Sequence, residues 1–245
     1  MRAMILAAGF GTRLQPLTNT LPKALVPVAG RPLIEYGLLW LKSQGITEVI
    51  INLHHLGDKI RAALGDGGRY GLRIVYSPED PILDTGGGIK KAQPFLAGET
   101  FLVLNSDTIL DLDLTALLHF HRHNQAIATL VLRPDPAAVR YGLLEIDQRG
   151  RLRRFLGQPT VVDEPLTALM FTGLQVLEPR IFPLMPANKP FSTTREFYPH
   201  LLLAGEPLYG FLHTGPWMGI DDVAGVERAT RAIISKEMRL SYLHP

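Results

Sequence analysis

Two glycines, two cations and three threonine hydroxyls crowd into the stretch Met4–Lys23, MILAAGFGTRLQPLTNTLPK. Its apolar start, closing on Ala7-Ala8, has the character of a buried strand, and Gly9-Phe10-Gly11 breaks it. Glycine tolerates φ > 0 and lets another molecule reach the backbone amides with no Cβ in the way. Thr12 adds a hydroxyl, Arg13 a forked cation and Lys23 a compact one, which together describe a cradle for phosphates. Other glycine-loop chemistries fail on particular residues. A dinucleotide fingerprint needs a further glycine at position 14, where this chain has Leu14. A Walker loop needs Gly-Lys-Ser or Gly-Lys-Thr, which this stretch lacks. A purely structural turn accounts for the glycines but not for Arg13 and Lys23.

Two later stretches carry similar potential. In Ser77–Ala92, SPEDPILDTGGGIKKA, the glycines Gly86 to Gly88 open what reads as a helix, so amides and helix dipole are available to a ligand. The apolar run Phe101–Asn105 ends in Ser106-Asp107. A carboxylate at the carboxyl end of a buried strand is placed to hold a divalent cation through oxygen.

LAAGFGTRLQPLT followed by PKALVPVAGRPLIEY resembles the signature of the sugar-1-phosphate nucleotidylyltransferases, densely over Met4–Tyr36 and again at later points. The LDTGGGI and FTGLQVLEPRIF segments are most similar to those of the N-acetylmuramate-1-phosphate uridylyltransferases and their mannose-1-phosphate guanylyltransferase relatives. The resemblance implies a nucleoside triphosphate and a sugar 1-phosphate as substrates and Mg2+ as cofactor. It implies an α/β, Rossmann-like nucleotide-diphospho-sugar transferase fold, with a mainly parallel mixed central sheet and helices on both faces. By the same resemblance Arg13 and Lys23 are catalytic, Arg13 at the leaving phosphates and Lys23 near the α-phosphate. Leu6, Ala7, Ala8, Gly9, Gly11, Thr12, Glu79, Gly86, Gly87 and Asp107 join them around the nucleotide. Thr85, Gly86, Gly142, Thr172 and Gly173 fall around the sugar, and Asp107 is the first metal ligand.

This chain also departs from the family pattern. Relatives commonly read W-x-D-I-G-T where this sequence has Trp217-Met218-Gly219-Ile220-Asp221-Asp222, so Gly219 stands at the second metal ligand. Residues two apart on an extended segment point the same way, which makes Asp221 the expected replacement, with Asp222 beside it. Gly157-Gln158-Pro159 stands where many relatives carry Glu-Lys-Pro, and Arg153 or Arg154 is the candidate for the missing charge.

The elements that must position these groups follow a simple rhythm. Pro32 and the helical spacing of Ile34, Leu38 and Leu41 predict a helix to about Gln44, then EVIINL (Glu48–Leu53) a strand, Gly57–Leu64 a helix and Arg73–Tyr76 a strand. Such alternation predicts a parallel sheet with ligands at the carboxyl ends of its strands. Later come a strand at Ala128–Leu132, a hairpin of Gly142–Asp147 and Arg151–Leu156, a strand at Phe171–Leu177, and helices at Thr193–Leu203 and Val223 to about Lys236. The 245 residues suit one domain, 1–245, with a nucleotide-binding part to about 130, a sugar-binding part over 131–222 and a closing helix over 223–236.

Composition narrows the partners. Lys plus Arg number 25 against 23 Asp plus Glu, a formal +2, which argues against a polynucleotide partner. With no cysteine, thiolate metal sites, disulfides and cysteine nucleophiles are excluded. The N-terminal apolar run is too short to span a bilayer, and the expectation is a cytoplasmic protein. Asp111 and Asp113 form a D-x-D, which keeps a metal-dependent glycosyltransferase as an alternative, although Asp113 is a natural helix N-cap. Of His119, His121 and His123, only the first and last share a helix face, which disfavours a zinc site. Glu196 reads as a helix-surface charge that could also face the sugar. Gly219 and the missing Glu-Lys-Pro leave a second alternative, a nucleotide- or sugar-phosphate-binding regulator without catalysis.

Overall fold

A computed structural model describes residues 1–136, 138, 143–159, 162–187 and 189–243. Contacts divide the chain into two compact units, each assembled from separated stretches: Met1–Leu83 with Leu104–Leu112 and Gly215–Pro245, and Asp84–Val103 with Asp113–Thr214.

The first unit is built on parallel strands. Glu48–Leu53 lies between Ala3–Leu6 and Arg73–Pro78, with Ile51 opposite Ile5 on one side and Tyr76 on the other. The near-continuous apolar character of these strands is what a sheet covered on both faces requires. The helices Leu33–Ser43 and Gly57–Leu64 make the two crossovers. Pro32 stands at the N-cap of the first, and Leu33, Ile34, Leu38, Trp40 and Leu41 are buried along it. Its Trp40 Nε1 donates to the Leu112 carbonyl at 3.2 Å and its Tyr36 hydroxyl to the Val28 carbonyl at 2.9 Å, so the ring edges are satisfied as well as packed.

The late stretch of this unit is brought in by a small antiparallel pair. Thr108–Leu110 pairs with Trp217–Gly219, Thr108 opposite Gly219, and the Ile220 amide donates to the Asp107 carbonyl at 3.0 Å. The helix Val223–Ile234 then buries Ala229 in a cluster with Val28, Leu33, Tyr36, Ile109, Ile220 and Leu240.

In the second unit Ala128–Arg133 is central, paired antiparallel with Thr167–Leu177 and parallel with Leu208–Leu212. Thr167–Leu177 also pairs with Leu144–Ile146, which forms the expected hairpin with Leu152–Phe155. Thr172 and Gly173 fall where the register of the long strand shifts, between Phe171 and Gln175. Helices Asp84–Lys91 and Leu114–His123, and the turn Thr193–Phe197 leading into the helix Tyr198–Leu203, complete the unit. The fold is thus α/β, with a parallel main sheet and small antiparallel pairs in the first unit and mixed pairing in the second. Among the described residues no helix is long and apolar enough to cross a membrane.

Candidate functional site

The glycine loop sits at the carboxyl end of Ala3–Leu6, and its two glycines answer different needs. Gly11 has φ 64 and ψ 32, and a Cβ there would lie 3.0 Å from both Lys23 Cβ and Thr18 Cγ2. The left-handed backbone and the closeness of Lys23 both demand glycine. Around Gly9 a Cβ would meet nothing within 4 Å, so its small size leaves space rather than fills it. The Gly11 carbonyl accepts from the Leu14 amide and the Thr18 hydroxyl, each at 2.9 Å, which curls the loop back toward Lys23. Among the described residues the amides of Gly9, Phe10 and Gly11 and the Thr12 hydroxyl donate to no protein group. Consecutive free amides on a curled backbone form an anion-binding concavity.

Beside the loop the first unit assembles two cations and two carboxylates. Lys23 Nζ lies 2.5 Å from Asp107 Oδ2 and 3.5 Å from Asp221 Oδ1, and Asp221 Oδ1 also takes Arg13 at 3.0 Å. Lys23, Asp107 and Asp221 are only 15%, 26% and 20% exposed, whereas Arg13 is 63% exposed. The Lys23 contacts therefore operate in a partly dry setting, and the Arg13 pair largely in water. Asp107 is positioned by its neighbours: the Ser106 amide donates to the Leu6 carbonyl at 3.1 Å, next to the loop. Asp222 is spent elsewhere, accepting the Gly225 amide at 2.7 Å as N-cap of Val223–Ile234. That leaves Asp221 as the carboxylate beside Lys23, two residues beyond Gly219.

A hard divalent cation suits this oxygen set. Magnesium is commonly held by one or two carboxylates with phosphate and water completing its shell, and an ammonium already bridges the two carboxylates here. Among the described residues no group of three or more His, Asp or Glu gathers into an all-protein metal site, His119 and His123 included; their rings stack 6.3 Å apart.

Glu79 faces inward. It is 4% exposed, its Oε1 accepts from Asn52 Nδ2 at 2.7 Å and its Oε2 from the Leu83 amide at 2.9 Å. Asn52 Oδ1 in turn accepts the Ala7 amide at 2.8 Å. Asn52 is absent from the expected site, and its signal was a lone amide side chain within the apolar run Val49–Leu53.

In the second unit, the amides of Gly86 and Gly87 are already taken by the Phe191 carbonyl, at 2.9 and 3.4 Å. The Phe191 ring lies so close to Gly86 that a Cβ would sit 2.1 Å from it. Thr85 Oγ1 lies 3.1 Å from Thr193 Oγ1 and accepts the Thr193 amide at 2.9 Å, and Thr172 Oγ1 donates to the Val131 carbonyl at 2.8 Å. Gly142 lies outside the described residues. Arg153 pairs with Glu164 at 2.6 Å and Arg154 with Glu145 at 2.7 Å. Glu196 Oε1 accepts the Ser192 amide at 2.9 Å, closing the start of its own helical turn. The D-x-D carboxylates are engaged too: in the first unit Asp111 Oδ2 accepts the Ser241 amide at 2.5 Å, and in the second Asp113 caps Leu114–His123.

The nucleotidyl transferase family profile matches residues 2–235. The UTP--glucose-1-phosphate uridylyltransferase of Synechocystis is 34% identical, over 98% of this chain and 65% of that protein. The N-acetylmuramate alpha-1-phosphate uridylyltransferase of Neisseria meningitidis is 37% identical, over 94% of this chain and 96% of that protein. The mannose-1-phosphate guanylyltransferase of Mycobacterium tuberculosis is 35% identical, and the chain spans 59% of its length. The fold is shared with a putative glucose-1-phosphate thymidylyltransferase from Bacillus anthracis, at a TM-score of 0.80 and 21% identity over 98% of this chain and 97% of that one. It is shared also with HddC from Yersinia pseudotuberculosis, at a TM-score of 0.78 and 24% identity over 95% and 99%.

Proposed function

This chain belongs to the nucleotidyl transferase family, and on that premise we propose that it makes a nucleotide sugar and pyrophosphate from a nucleoside triphosphate and a sugar 1-phosphate. A phosphate oxygen of the sugar 1-phosphate attacks the α-phosphorus of the triphosphate. A new phosphorus–oxygen bond forms, the bond to the oxygen bridging α and β breaks, and that oxygen leaves with pyrophosphate. The substrate supplies its own nucleophile, so the protein contributes alignment and charge.

In this reading the free amides of Gly9, Phe10 and Gly11 bind phosphate oxygens, and Arg13 neutralises the departing pyrophosphate. Lys23 meets the α-phosphate. Asp107 and Asp221 hold magnesium, which when bound neutralises phosphate charge. The observation that carries the reading is the Lys23 ammonium lodged between Asp107 and Asp221 at 2.5 and 3.5 Å, beside a loop of unpaired amides. Phosphate oxygens can draw such an ammonium away, leaving the two carboxylates to a divalent ion.

For the substrates we propose UTP with N-acetylmuramate 1-phosphate, ahead of GTP with mannose 1-phosphate. The support is the Neisseria relative, which this chain matches along 96% of its length. The test is pyrophosphate release with magnesium, over a grid of nucleoside triphosphates against muramyl, glucosyl, N-acetylglucosaminyl and mannosyl 1-phosphates. One dominant pair is expected. Nucleotide binding with no turnover across the grid would overturn the proposed reaction.

A further inference from the structure

Asn52 and Glu79 are 3% and 4% exposed, and a buried amide and carboxylate are costly unless each donor and acceptor is met. Here they are met in a fixed order. The Ala7 amide donates to Asn52 Oδ1 at 2.8 Å, Asn52 Nδ2 donates to Glu79 Oε1 at 2.7 Å, and the Leu83 amide donates to Glu79 Oε2 at 2.9 Å. A backbone amide can only donate, so Asn52 must turn its oxygen to Ala7 and its NH2 to Glu79. Glu79 must then accept twice.

A second link ties the same segment to the tip of the glycine loop. His54 Nδ1 lies 3.0 Å from the Glu79 carbonyl, and the His54 ring meets the Phe10 ring edge-on at 5.5 Å. Phe10 lies between Gly9 and Gly11, within the run of free amides. Both the entry of the loop, at Ala7, and its tip, at Phe10, therefore lean on the segment that carries Glu79.

We propose that Asn52 and Glu79 are positioning residues for the nucleoside triphosphate, holding the glycine loop through their donor–acceptor order without touching the ligand. This rests on the nucleotide-binding reading of the loop. The order rather than the charge is what matters, and it can be reversed by substitution. In Glu79→Gln one of the two donors, Asn52 Nδ2 or the Leu83 amide, faces another NH2 group. In Asn52→Asp two carboxylates meet edge to edge. Combining Asn52→Asp with Glu79→Gln restores a consistent order: the carboxylate at 52 accepts from Ala7 and from the amide at 79, whose oxygen accepts from Leu83.

The experiment is calorimetric titration of parent, single and double variants with whichever of UTP, GTP, ATP and dTTP the parent binds most tightly, with magnesium, alongside thermal unfolding. Each single variant is expected to weaken binding by about tenfold to a hundredfold, and the double variant to return to within about threefold of the parent. Single variants that bind like the parent overturn the proposal. So does a double variant that regains the parental unfolding midpoint but not the affinity, since the two side chains then act on the ligand directly and not through their donor–acceptor order. If the single variants do not fold, the folded double variant decides, parental affinity supporting the proposal and lost affinity overturning it. A parent that binds none of the four overturns the nucleotide reading itself, which the parent titration shows before any variant is compared.

Discussion

Lys23→Met should make the nucleotide-free protein bind a divalent ion more tightly. The lysine stem is kept in bulk while the ammonium between Asp107 and Asp221 is removed. At 2.5 and 3.5 Å each contact carries a gross attraction of about 5–7 kcal/mol at an effective dielectric constant of about 20. Desolvation of the three groups cancels most of it, and charged hydrogen bonds of this kind retain about 1.5–3 kcal/mol net. A divalent ion approaching the free protein must displace that interaction, so its removal should tighten binding by roughly 10- to 100-fold. Titration with Mn2+, an EPR-visible stand-in for magnesium, reads the change directly. Affinity for nucleoside triphosphate should fall in the same variant, since a phosphate has lost its cation. Lys23→Met protein whose Mn2+ affinity without nucleotide equals the parent's would refute the idea that Lys23 holds the ion's place. Adding Asp107→Asn to Lys23→Met should abolish the gain.

The two loop glycines should separate stability from binding: Gly11→Ala, strained at φ 64 and crowded against Lys23 and Thr18, should lose about 1–3 kcal/mol in urea unfolding. Gly9→Ala, whose methyl meets no protein atom within 4 Å, should stay within about 0.5 kcal/mol of the parent yet bind nucleotide more weakly, because the methyl takes up open space at the loop. Asp221 and Asp222 make a similar contrast. Asp222→Ala should cost about 1 kcal/mol as a lost N-cap and leave Mn2+ binding with nucleotide intact, whereas Asp221→Asn should weaken that binding; the reverse pattern would exchange their roles. Burial pushes the pKa of His121 down against the opposing pull of Glu178, and the ring is 0% exposed beside Thr129 and Glu178. The unfolded chain takes up this proton first, so stability should be full above about pH 6.5 and fall as pH drops from there toward the lower folded pKa, by at most about 1.4 kcal/mol per pH unit. His121→Gln should flatten that part of the pH profile measured by urea unfolding.

Local chemistry made much of the fold legible. EVIINL and FLVLN are strands because compact apolar runs of that length bury well in a sheet, and the structure places them at Glu48–Leu53 and Phe101–Asn105. The break after the first strand was equally plain from its glycines, and the structure puts Gly11 in the left-handed region at φ 64. What the sequence left open were choices between distant partners. Asp221 and Asp222 are chemically alike and adjacent; the pairing of Trp217–Gly219 with Thr108–Leu110 and the start of the last helix assign one to Lys23 and the other to a cap. Asn52 looked like an interruption in a strand until its partners at Ala7 and Glu79 met it from 45 and 27 residues away. Gly86 and Gly87 promised free amides, and the Phe191 carbonyl takes them. The assembly of each compact unit from separated stretches of chain is of the same kind. By itself the sequence determined the strands, the loop and the charges available to it, because backbone conformation and hydrophobic period are set by near neighbours. Only the tertiary structure decided which polar group meets which, because a buried donor takes whatever acceptor the packing brings to it.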